Sequence, residues 1–318
     1  MKILENFDLA QVLWYKLGGT CKYLLECDSK EDITEAIEFV YKNSIKNVFV
    51  LGFGSNLIFA KDSYDGAVIH ILPPEKSSIK LLDNNMVESF VGENLDDLIQ
   101  FGFSNALIGL EWAGGLPGTV GAAVRGNVGA FGGEIKDVVV SAEILDVEKR
   151  KVHTLLNKDL EFKYRSSKVK IEQGLIVLSV KFNLIPTEDE GLRRAKEIYQ
   201  ANIQYRKDRH PLEYPNCGSV FKNVHEKDDV EKVLRVFPEV KEFVEGKWHG
   251  KVAMGYVIEK LGLAGYTVGD AQVSKKHKNF IINLGNAKAS DVLQIIEKVK
   301  TDTNDRFGFT PEVEVEIV

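Results

Sequence analysis

A glycine-rich stretch from Gly109 to Glu134 constrains the fold of this chain more than any other segment. It contains nine of the chain's 27 glycines, and most residues between them are small or apolar. Glycine at this density lets the backbone adopt positive φ angles and brings backbone N–H groups close to a ligand. Apolar residues recur through the stretch as if packed, at Leu116, Val120, Val124 and Phe131. The pattern therefore favours ordered backbone that cradles a flat or phosphorylated cofactor over a flexible connection.

Composition places the chain among soluble globular proteins. With 318 residues, 44% hydrophobic and 28% charged, it is long enough for two or three domains and a sizeable core. The net charge of −6 argues against a nucleic-acid partner, although it allows a local basic pocket for an anionic substrate. The three cysteines (Cys21, Cys27 and Cys217) form no CxxC pair and lie near no pair of histidines, so we expect neither disulfides nor a metal site.

The chain carries no recognisable targeting or membrane signal. Acidic residues interrupt the first eleven residues, and no run of about 18 apolar residues occurs anywhere. We therefore expect a cytoplasmic protein with no membrane partner.

The first sixty residues predict a β-α-β unit that contains a glycine turn. Residues 29–42 have helical spacing with Ser29 or Asp28 as the N-cap, and residues 46–60 read as strand, turn and strand. The turn (Gly52 to Asn56) lacks the third glycine and the following helix of a dinucleotide fingerprint. Two interpretations stay open: a turn whose N–H groups, with Ser55 and Asn56, cradle a pyrophosphate, or a plain hairpin turn.

The middle of the chain is predicted to be mainly β. Strand-like segments occur at 67–72, 78–82 and 86–91, a helix is expected at 94–103, and antiparallel strands are expected at 138–146, 151–155 and 175–184.

Helices are expected after residue 190, with a domain boundary near residue 205. The predicted helices cover 190–207 and 228–237, and a third begins at Ser290 as its N-cap. The last residues alternate strictly, which predicts an edge or surface strand with Glu312, Glu314 and Glu316 toward solvent.

Polar clusters offer further candidate chemistry. One loop carries Arg206, Lys207, Arg209 and His210. These residues could hold a diphosphate, or they could form a solvated helix end. Ser219 stands outside any G-x-S-x-G motif, which disfavours a hydrolase nucleophile; a hydroxyl that moves a proton in a polar pocket fits its neighbours better.

Two other clusters are less specific. Tyr164 and Arg165 are predicted to lie in a turn before a strand. The run from Lys275 to Lys278 reads as a solvated face, and its His277 has no partner residues at metal-ligand spacing.

Taken together, these segments resemble the UDP-N-acetylenolpyruvoylglucosamine reductase family. The matching segments occur in family order at 51–57 (LGFGSNL), 115–134 (GLPGTVGAAVRGNVGAFGGE), 164–167 (YRSS), 214–223 (YPNCGSVFKN), 271–280 (AQVSKKHKNF) and 311–313 (PEV). Six motifs that span nearly the whole chain make a chance match implausible.

The resemblance implies an α+β protein with a vanillyl-alcohol-oxidase (PCMH-type) FAD-binding fold in two subdomains, followed by a C-terminal α+β substrate-binding domain. We expect the subdomains at 1–72 and 73–205 and the C-terminal domain at 206–318, whose last strand could return to the first subdomain. FAD is expected to be noncovalent, since neither glycine segment carries His or Cys. The residues implied for the cofactor are Gly52, Phe53, Gly54, Ser55, Asn56, Gly115, Pro117, Gly118, Thr119, Gly121, Ala122, Asn127, Gly129 and Ala130.

The resemblance also implies the reaction. NADPH would reduce FAD, and hydride would then pass to the enolpyruvyl sugar nucleotide of peptidoglycan precursor synthesis. Ser219 matches the family's proton donor, Arg165 the arginine beside the substrate carboxylate, and Glu312 the carboxyl group that completes the site. Residues expected to contact the UDP-sugar substrate are Tyr164, Arg209, Lys222, Asn223 and Gln272. We expect a monomer.

The chain departs from the family pattern at several positions. Val128 and Phe131 stand where Ala and Tyr are usual, and Val224 replaces a usual proline. Residues 225–251 are longer and more charged than expected, and the spacing from Arg165 to Ser219 resembles the branch that lacks a tyrosine-bearing loop. The alternatives are another FAD oxidoreductase of the same fold that acts on an alcohol or hydroxy acid, or a non-catalytic nucleotide-binding relative.

Overall fold

The computed structural model describes residues 1–318, the whole chain. Strands dominate up to residue 186, and helices dominate after it. The first elements are β1 (Lys2–Asp8), β2 (Thr20–Cys27), α1 (Lys30–Lys42), β3 (Val48–Leu51), β4 (Leu57–Ile58), β5 (Ser63–Ile71), β6 (Lys80–Leu81), β7 (Met86–Phe90), α2 (Leu95–Ser104) and β8 (Leu107–Ile108).

The glycine-rich stretch and the antiparallel strands follow. These elements are α3 (Val120–Arg125), β9 (Gly129–Ala130), β10 (Gly133–Glu134), β11 (Val139–Asp146), β12 (Lys151–Leu156), α4 (Lys168–Ile171), β13 (Leu175–Asn183) and β14 (Ile185–Pro186). The remaining elements are α5 (Asp189–Arg209), α6 (Lys227–Val236), α7 (Lys241–Glu245), α8 (Met254–Lys260), β15 (Thr267–Val268), β16 (Ala271–Val273), β17 (Ile281–Asn283), α9 (Ala289–Phe307) and β18 (Glu316–Ile317). None of these helices is both long enough and apolar enough to cross a membrane.

The chain divides into two compact units. The first comprises 1–7, 21–53 and 63–206, and the second comprises 8–20, 54–62 and 207–318. These units are defined by spatial contacts and interleave along the sequence, so they do not test the domain boundaries expected at residues 72 and 205. Those boundaries remain a proposal.

Two sheets organise the first unit. One has the strand order β1-β2-β5-β3, in which β3 runs parallel to β5. The other is a five-stranded antiparallel sheet with the order β12-β11-β13-β7-β6, in which Ala142 pairs with Val180. The antiparallel strands expected in this region are confirmed. Their inward residues join those of α1 and α2 in one core that includes Ile33, Leu98 and Phe182.

Helix α1 has the N-cap and the buried face that its local sequence predicts. Ser29 is its N-cap, and the Ser29 side chain accepts a hydrogen bond from the Asp32 N–H. Ile33, Ala36, Ile37 and Val40 are buried at helical spacing, as expected.

The second unit has its own core. It is built on the three-stranded sheet β15-β16-β17 and on α9, whose buried residues include Val292, Ile295 and Phe307. The prediction that Ser290 caps α9 was wrong: Lys288 is the N-cap, and the Asp291 side chain accepts a hydrogen bond from the Lys288 N–H.

The segment after Gly52 is not a hairpin. Strand β3 pairs with β5, whereas β4 pairs in parallel with β18 near the end of the chain, with Leu57 opposite Glu316. The expected strand over the last eight residues is shorter than its alternation suggested and covers only Glu316–Ile317.

Candidate active site

The glycine-rich stretch is ordered backbone with an accessible side. Helix α3 is capped by Thr119, whose buried side chain accepts a hydrogen bond from Ala122 N at 3.3 Å. Before the cap, Gly115 and Gly118 have φ of 75° and 148°, which side-chain-bearing residues rarely adopt. A Cβ atom on Gly118 would meet nothing within 4 Å. The backbone therefore faces open space at this point.

Other glycines of this region serve packing. A Cβ atom on Gly121 would lie 2.8 Å from Cβ of Val91, and one on Gly52 would lie 3.0 Å from the Thr119 hydroxyl. Among the residues expected to bind the cofactor, Gly52 and Gly121 thus allow close approach between elements of the first unit. One expectation holds only in part in the same stretch: Phe131 packs edge-on against Tyr205, but it is 48% exposed.

Asn127 holds the end of the stretch together. It is fully buried with φ of 42°. Its Nδ2 donates to the Lys163 carbonyl at 2.9 Å, and its Oδ1 accepts from Lys136 N at 3.3 Å. The Asn127 amide is therefore engaged by backbone of its own unit.

Arg165 lies against this stretch. Its Nη2 donates to the carbonyl oxygen of Gly129 at 2.7 Å, and its guanidinium lies 5.1 Å from the ring centre of Tyr164. Arg165 has φ of 55° in a tight turn closed by reciprocal backbone hydrogen bonds between Lys163 and Ser166. A residue other than glycine usually keeps a positive φ only where the surrounding contacts hold its backbone in that conformation. The expected turn is present, but the short helix α4 follows it instead of a strand.

Ser219 sits on a segment clamped by one buried asparagine. Asn279 accepts from Phe221 N at 3.0 Å through its side chain and returns a hydrogen bond to the Phe221 carbonyl at 2.8 Å. The Asn279 carbonyl also accepts from Val220 N. Because these bonds fix the two residues after Ser219, its half-buried hydroxyl has a defined position.

Glu312 lies on the neighbouring segment of the same unit. Phe221 and Val313 form an antiparallel bridge, and Lys222 N donates to the Glu312 carbonyl at 2.9 Å. The Lys222 ammonium also donates to the Glu312 carboxylate, and this bond holds the pKa of Glu312 below its usual range. The structure thus brings Ser219 and Glu312 onto adjacent segments, with Glu312 ionised at neutral pH.

The turn residues of the second unit lie beside the Ser219 segment. Gly54 has φ of 62°, and the Asn56 carbonyl accepts from Glu316 N at 3.1 Å. A Cβ atom on Gly218 would lie 3.9 Å from the Ser55 carbonyl oxygen. Ser55 is therefore a neighbour of the residue that precedes Ser219.

Several residues expected to bind the substrate have partners within the protein. Lys222 pairs with Glu312, Asn223 Oδ1 accepts from Met254 N at 3.1 Å, and Gln272 Nε2 donates to the Thr267 hydroxyl at 3.0 Å. Arg209 is exposed at the end of α5, and Tyr164 stacks with Arg165.

The basic cluster expected at 206–210 is not one cluster. Arg206 is 7% exposed and its Nε donates to the Gly114 carbonyl, whereas Lys207 and Arg209 are exposed. The helical spacing of Ala195, Tyr199, Asn202 and Arg206, all buried on α5, was the sequence signal for this difference.

His277 also departs from the expected solvated run. Lys275 and Lys276 are exposed, but burial lowers the pKa of His277 to about 4, and its Nδ1 has no hydrogen-bond partner. Its ring packs edge-on to His210 and Phe280. No local pattern in the sequence distinguished this histidine from its neighbours.

Known proteins match the chain over its full length. Residues 21–155 match the FAD binding domain family, and residues 210–318 match the family described as UDP-N-acetylenolpyruvoylglucosamine reductase, C-terminal domain. UDP-N-acetylenolpyruvoylglucosamine reductase of Caldicellulosiruptor saccharolyticus is 33% identical, over 100% of this chain and 92% of the relative. The enzyme of the same name from Listeria welshimeri is 34% identical, over 100% of this chain and 96% of the relative.

A solved structure agrees. The crystal structure of UDP-N-acetylenolpyruvylglucosamine reductase from Thermus caldophilus superimposes with a TM-score of 0.74 at 27% identity, and the match covers 99% of this chain and 98% of that chain. The fold class expected from the sequence, an FAD-binding region followed by a C-terminal substrate domain, is confirmed.

Proposed function

The chain belongs to the UDP-N-acetylenolpyruvoylglucosamine reductase family, and from that premise we propose how its own residues divide the reaction. The protein is an FAD-containing oxidoreductase that reduces UDP-N-acetylglucosamine enolpyruvate with NADPH to UDP-N-acetylmuramate, a peptidoglycan precursor. The alternatives expected from the sequence are not favoured, because residues 210–318 match the C-terminal domain of this reductase.

The residues of the glycine-rich stretch fit FAD. Gly115 and Pro117 are exposed, and Gly118 opens onto free space, so backbone at this point is accessible to a ligand. FAD, when bound, carries hydride between NADPH and the substrate. We propose that the backbone from Gly115 to Ala122 and from Asn127 to Ala130, with the turn from Gly52 to Asn56, holds it without a covalent link.

We propose that Arg165 binds the substrate carboxylate and offsets the charge that develops when hydride is added at the terminal carbon of the enolpyruvyl group. The observation that supports this role is its anchoring to Gly129, within the stretch that would hold the cofactor. A guanidinium fixed in advance stabilises a developing enolate without reorganisation in the transition state.

We propose that Ser219 donates the proton that completes the reduction. A serine hydroxyl is a weak acid, so it suits a strongly basic carbanion and accurate placement, and the clamp by Asn279 supplies that placement. The Lys222 ammonium holds the pKa of Glu312 below its usual range, and we propose that this ionised carboxylate completes the site from the segment that bridges to Phe221.

Contacts to the substrate and the cellular setting are further proposals. Tyr164, Arg209, Lys222, Asn223 and Gln272 would contact the sugar nucleotide. The net charge of −6 supports the absence of a nucleic-acid partner, and three buried free thiols support a reducing, cytoplasmic setting. We propose a monomer without a membrane partner.

The Ser219→Ala variant tests the central assignment. We expect NADPH to reduce its flavin at nearly the wild-type rate, while reoxidation by the enolpyruvyl substrate falls by about 10²-fold or more. Stopped-flow absorbance under anaerobic conditions measures the two half-reactions separately. An equal loss in both would indicate that Ser219 is structural.

A further inference from the structure

One buried guanidinium beneath the glycine-rich stretch is only partly satisfied. Arg206 Nε donates to the Gly114 carbonyl at 2.9 Å. Its stem packs against Gly115, where a Cβ atom would lie 3.2 Å from Arg206 Cδ, and its guanidinium lies 5.2 Å from the ring centre of Phe131. Arg206 Nη2 is buried and has no hydrogen-bond partner.

This arrangement leaves a buried cation without an anion. No carboxylate pairs with Arg206, which is 7% exposed. Burial lowers the pKa of Arg206 to about 10, so the group stays cationic at neutral pH. Since an unpaired buried charge is costly, such a donor is expected to meet an acceptor in the functional state.

The surroundings indicate which acceptor. Gly114 and Gly115, which contact Arg206, shortly precede Gly118, where the backbone of the glycine-rich stretch is open. Phe131, whose ring faces the guanidinium, belongs to the later part of the same stretch. Bound FAD offers oxygen acceptors of two kinds, those of its pyrophosphate and those on the pyrimidine edge of the flavin.

We propose that Arg206 is a cofactor-binding residue whose Nη2 donates a charge-assisted hydrogen bond to an oxygen of FAD, while Gly114 and Phe131 hold its guanidinium in place. The proposal rests on FAD as the cofactor. It extends that function to a residue that the sequence had grouped with a diphosphate-binding or solvated loop. The bond would also tie α5 to the cofactor through Gly114.

The test compares Arg206→Met and Arg206→Lys with Arg194→Met, which removes an exposed arginine from the same helix. FAD is removed, and its dissociation constant is measured by quenching of flavin fluorescence. We expect Arg206→Met to weaken FAD binding by about tenfold or more, Arg206→Lys to lie between it and the wild type, and Arg194→Met to match the wild type.

Two readouts separate this role from a structural one. The melting temperature of the Arg206→Met apoprotein should stay close to the wild-type value, because loss of the Gly114 bond is offset by removal of a buried unpaired charge. The increase in melting temperature on saturation with FAD should be smaller for Arg206→Met than for the wild type. The midpoint potential of the bound flavin distinguishes the acceptors: a lower potential in Arg206→Met indicates the flavin ring edge, and an unchanged potential indicates the pyrophosphate.

The proposal is overturned if both Arg206 variants bind FAD as tightly as Arg194→Met does. It is equally overturned if the apoprotein melting temperature falls while the rise caused by FAD is unchanged, since Arg206 would then only support the fold. The Lys variant keeps the test decisive if the Met variant does not fold. FAD affinity is measured without substrate, so a failure of the proposed reduction would leave this result intact.

Discussion

At the scale of single residues, the ion pair between Lys222 and Glu312 is the feature of the site that a mutation can test most directly. Lys222 donates to Glu312 through both its backbone and its ammonium group, and the ammonium lowers the pKa of the Glu312 carboxyl. A lowered pKa keeps the carboxylate ionised, so activity that needs the anion is lost only as pH falls through that lowered value.

The Lys222→Met variant should therefore shift the acid limb of the pH profile. Without the ammonium, the pKa of Glu312 rises toward its ordinary value, and kcat/KM should begin to fall at a higher pH than in the wild type. The measurement is kcat/KM as a function of pH, with Lys247→Met, at an exposed lysine of the same unit, as the control. An acid limb at the same pH in both variants would show that Glu312 does not need to be ionised. An increase in the KM of Lys222→Met at high pH would indicate that Lys222 also contacts the substrate.

At the scale of the element, helix α3 depends on a glycine for its approach to Val91, the residue that follows β7. Alanine normally stabilises a helix interior relative to glycine by up to about 1 kcal/mol. At Gly121 the new methyl group would lie 2.8 Å from Val91 Cβ, which forces the helix away from its neighbour.

Gly121→Ala should thus destabilise the protein by about 1–3 kcal/mol, even though alanine has a higher helix propensity than glycine. The matched control is Gly126→Ala at the end of α3, where φ is −85° and the new Cβ atom would meet only the Ala122 carbonyl at 3.3 Å. Urea unfolding of the FAD-free protein measures both variants. Equal stability of the two would contradict the close packing of α3.

The segment between β16 and β17 carries a second prediction, about acid stability. The folded-state pKa of His277 is about 4, below the value near 6.5 of an unfolded chain. Between these values the unfolded state binds the additional proton, so stability present above pH 6.5 is lost as pH falls toward 4.

We expect His277→Gln to lose about 1–2 kcal/mol less stability than the wild type between pH 7.5 and pH 5. His153→Gln, at an exposed histidine of β12, should follow the wild type. Urea unfolding at the two pH values gives the difference. If all three proteins lose stability equally, His277 is not held neutral.

These elements also show how far sequence patterns reach. Periodicity and capping residues predicted α1 and the antiparallel strands, because those signals act over a few neighbouring residues. The same reasoning predicted the wrong N-cap for α9, because the N-cap is Lys288, which pairs with Asp291, and not Ser290.

Sequence motifs indicated candidate residues for the site, but they did not indicate the contacts that hold those residues. Family motifs pointed to Arg165, Ser219 and Glu312, and their roles remain proposals. The contacts that position them join residues far apart in sequence, such as Asn279 with Phe221 or β18 with β4. No local pattern encodes such pairings, whereas the burial of Arg206 could have been read from helical spacing on α5.

The whole molecule combines, in one chain, a region at 21–155 that matches the FAD binding domain family and a region at 210–318 that matches the C-terminal domain of the reductase. The purified protein should be yellow and should release its flavin on acid denaturation, because we propose that FAD is held without a covalent link. Flavin that stays attached to the denatured chain would contradict that proposal.

The reaction itself gives the most direct test of the central claim. Under anaerobic conditions, NADPH should bleach the flavin absorbance of the wild-type protein, and UDP-N-acetylglucosamine enolpyruvate should restore it with formation of one UDP-N-acetylmuramate per flavin. A flavin that NADPH reduces but that the enolpyruvyl sugar nucleotide leaves reduced would contradict the account.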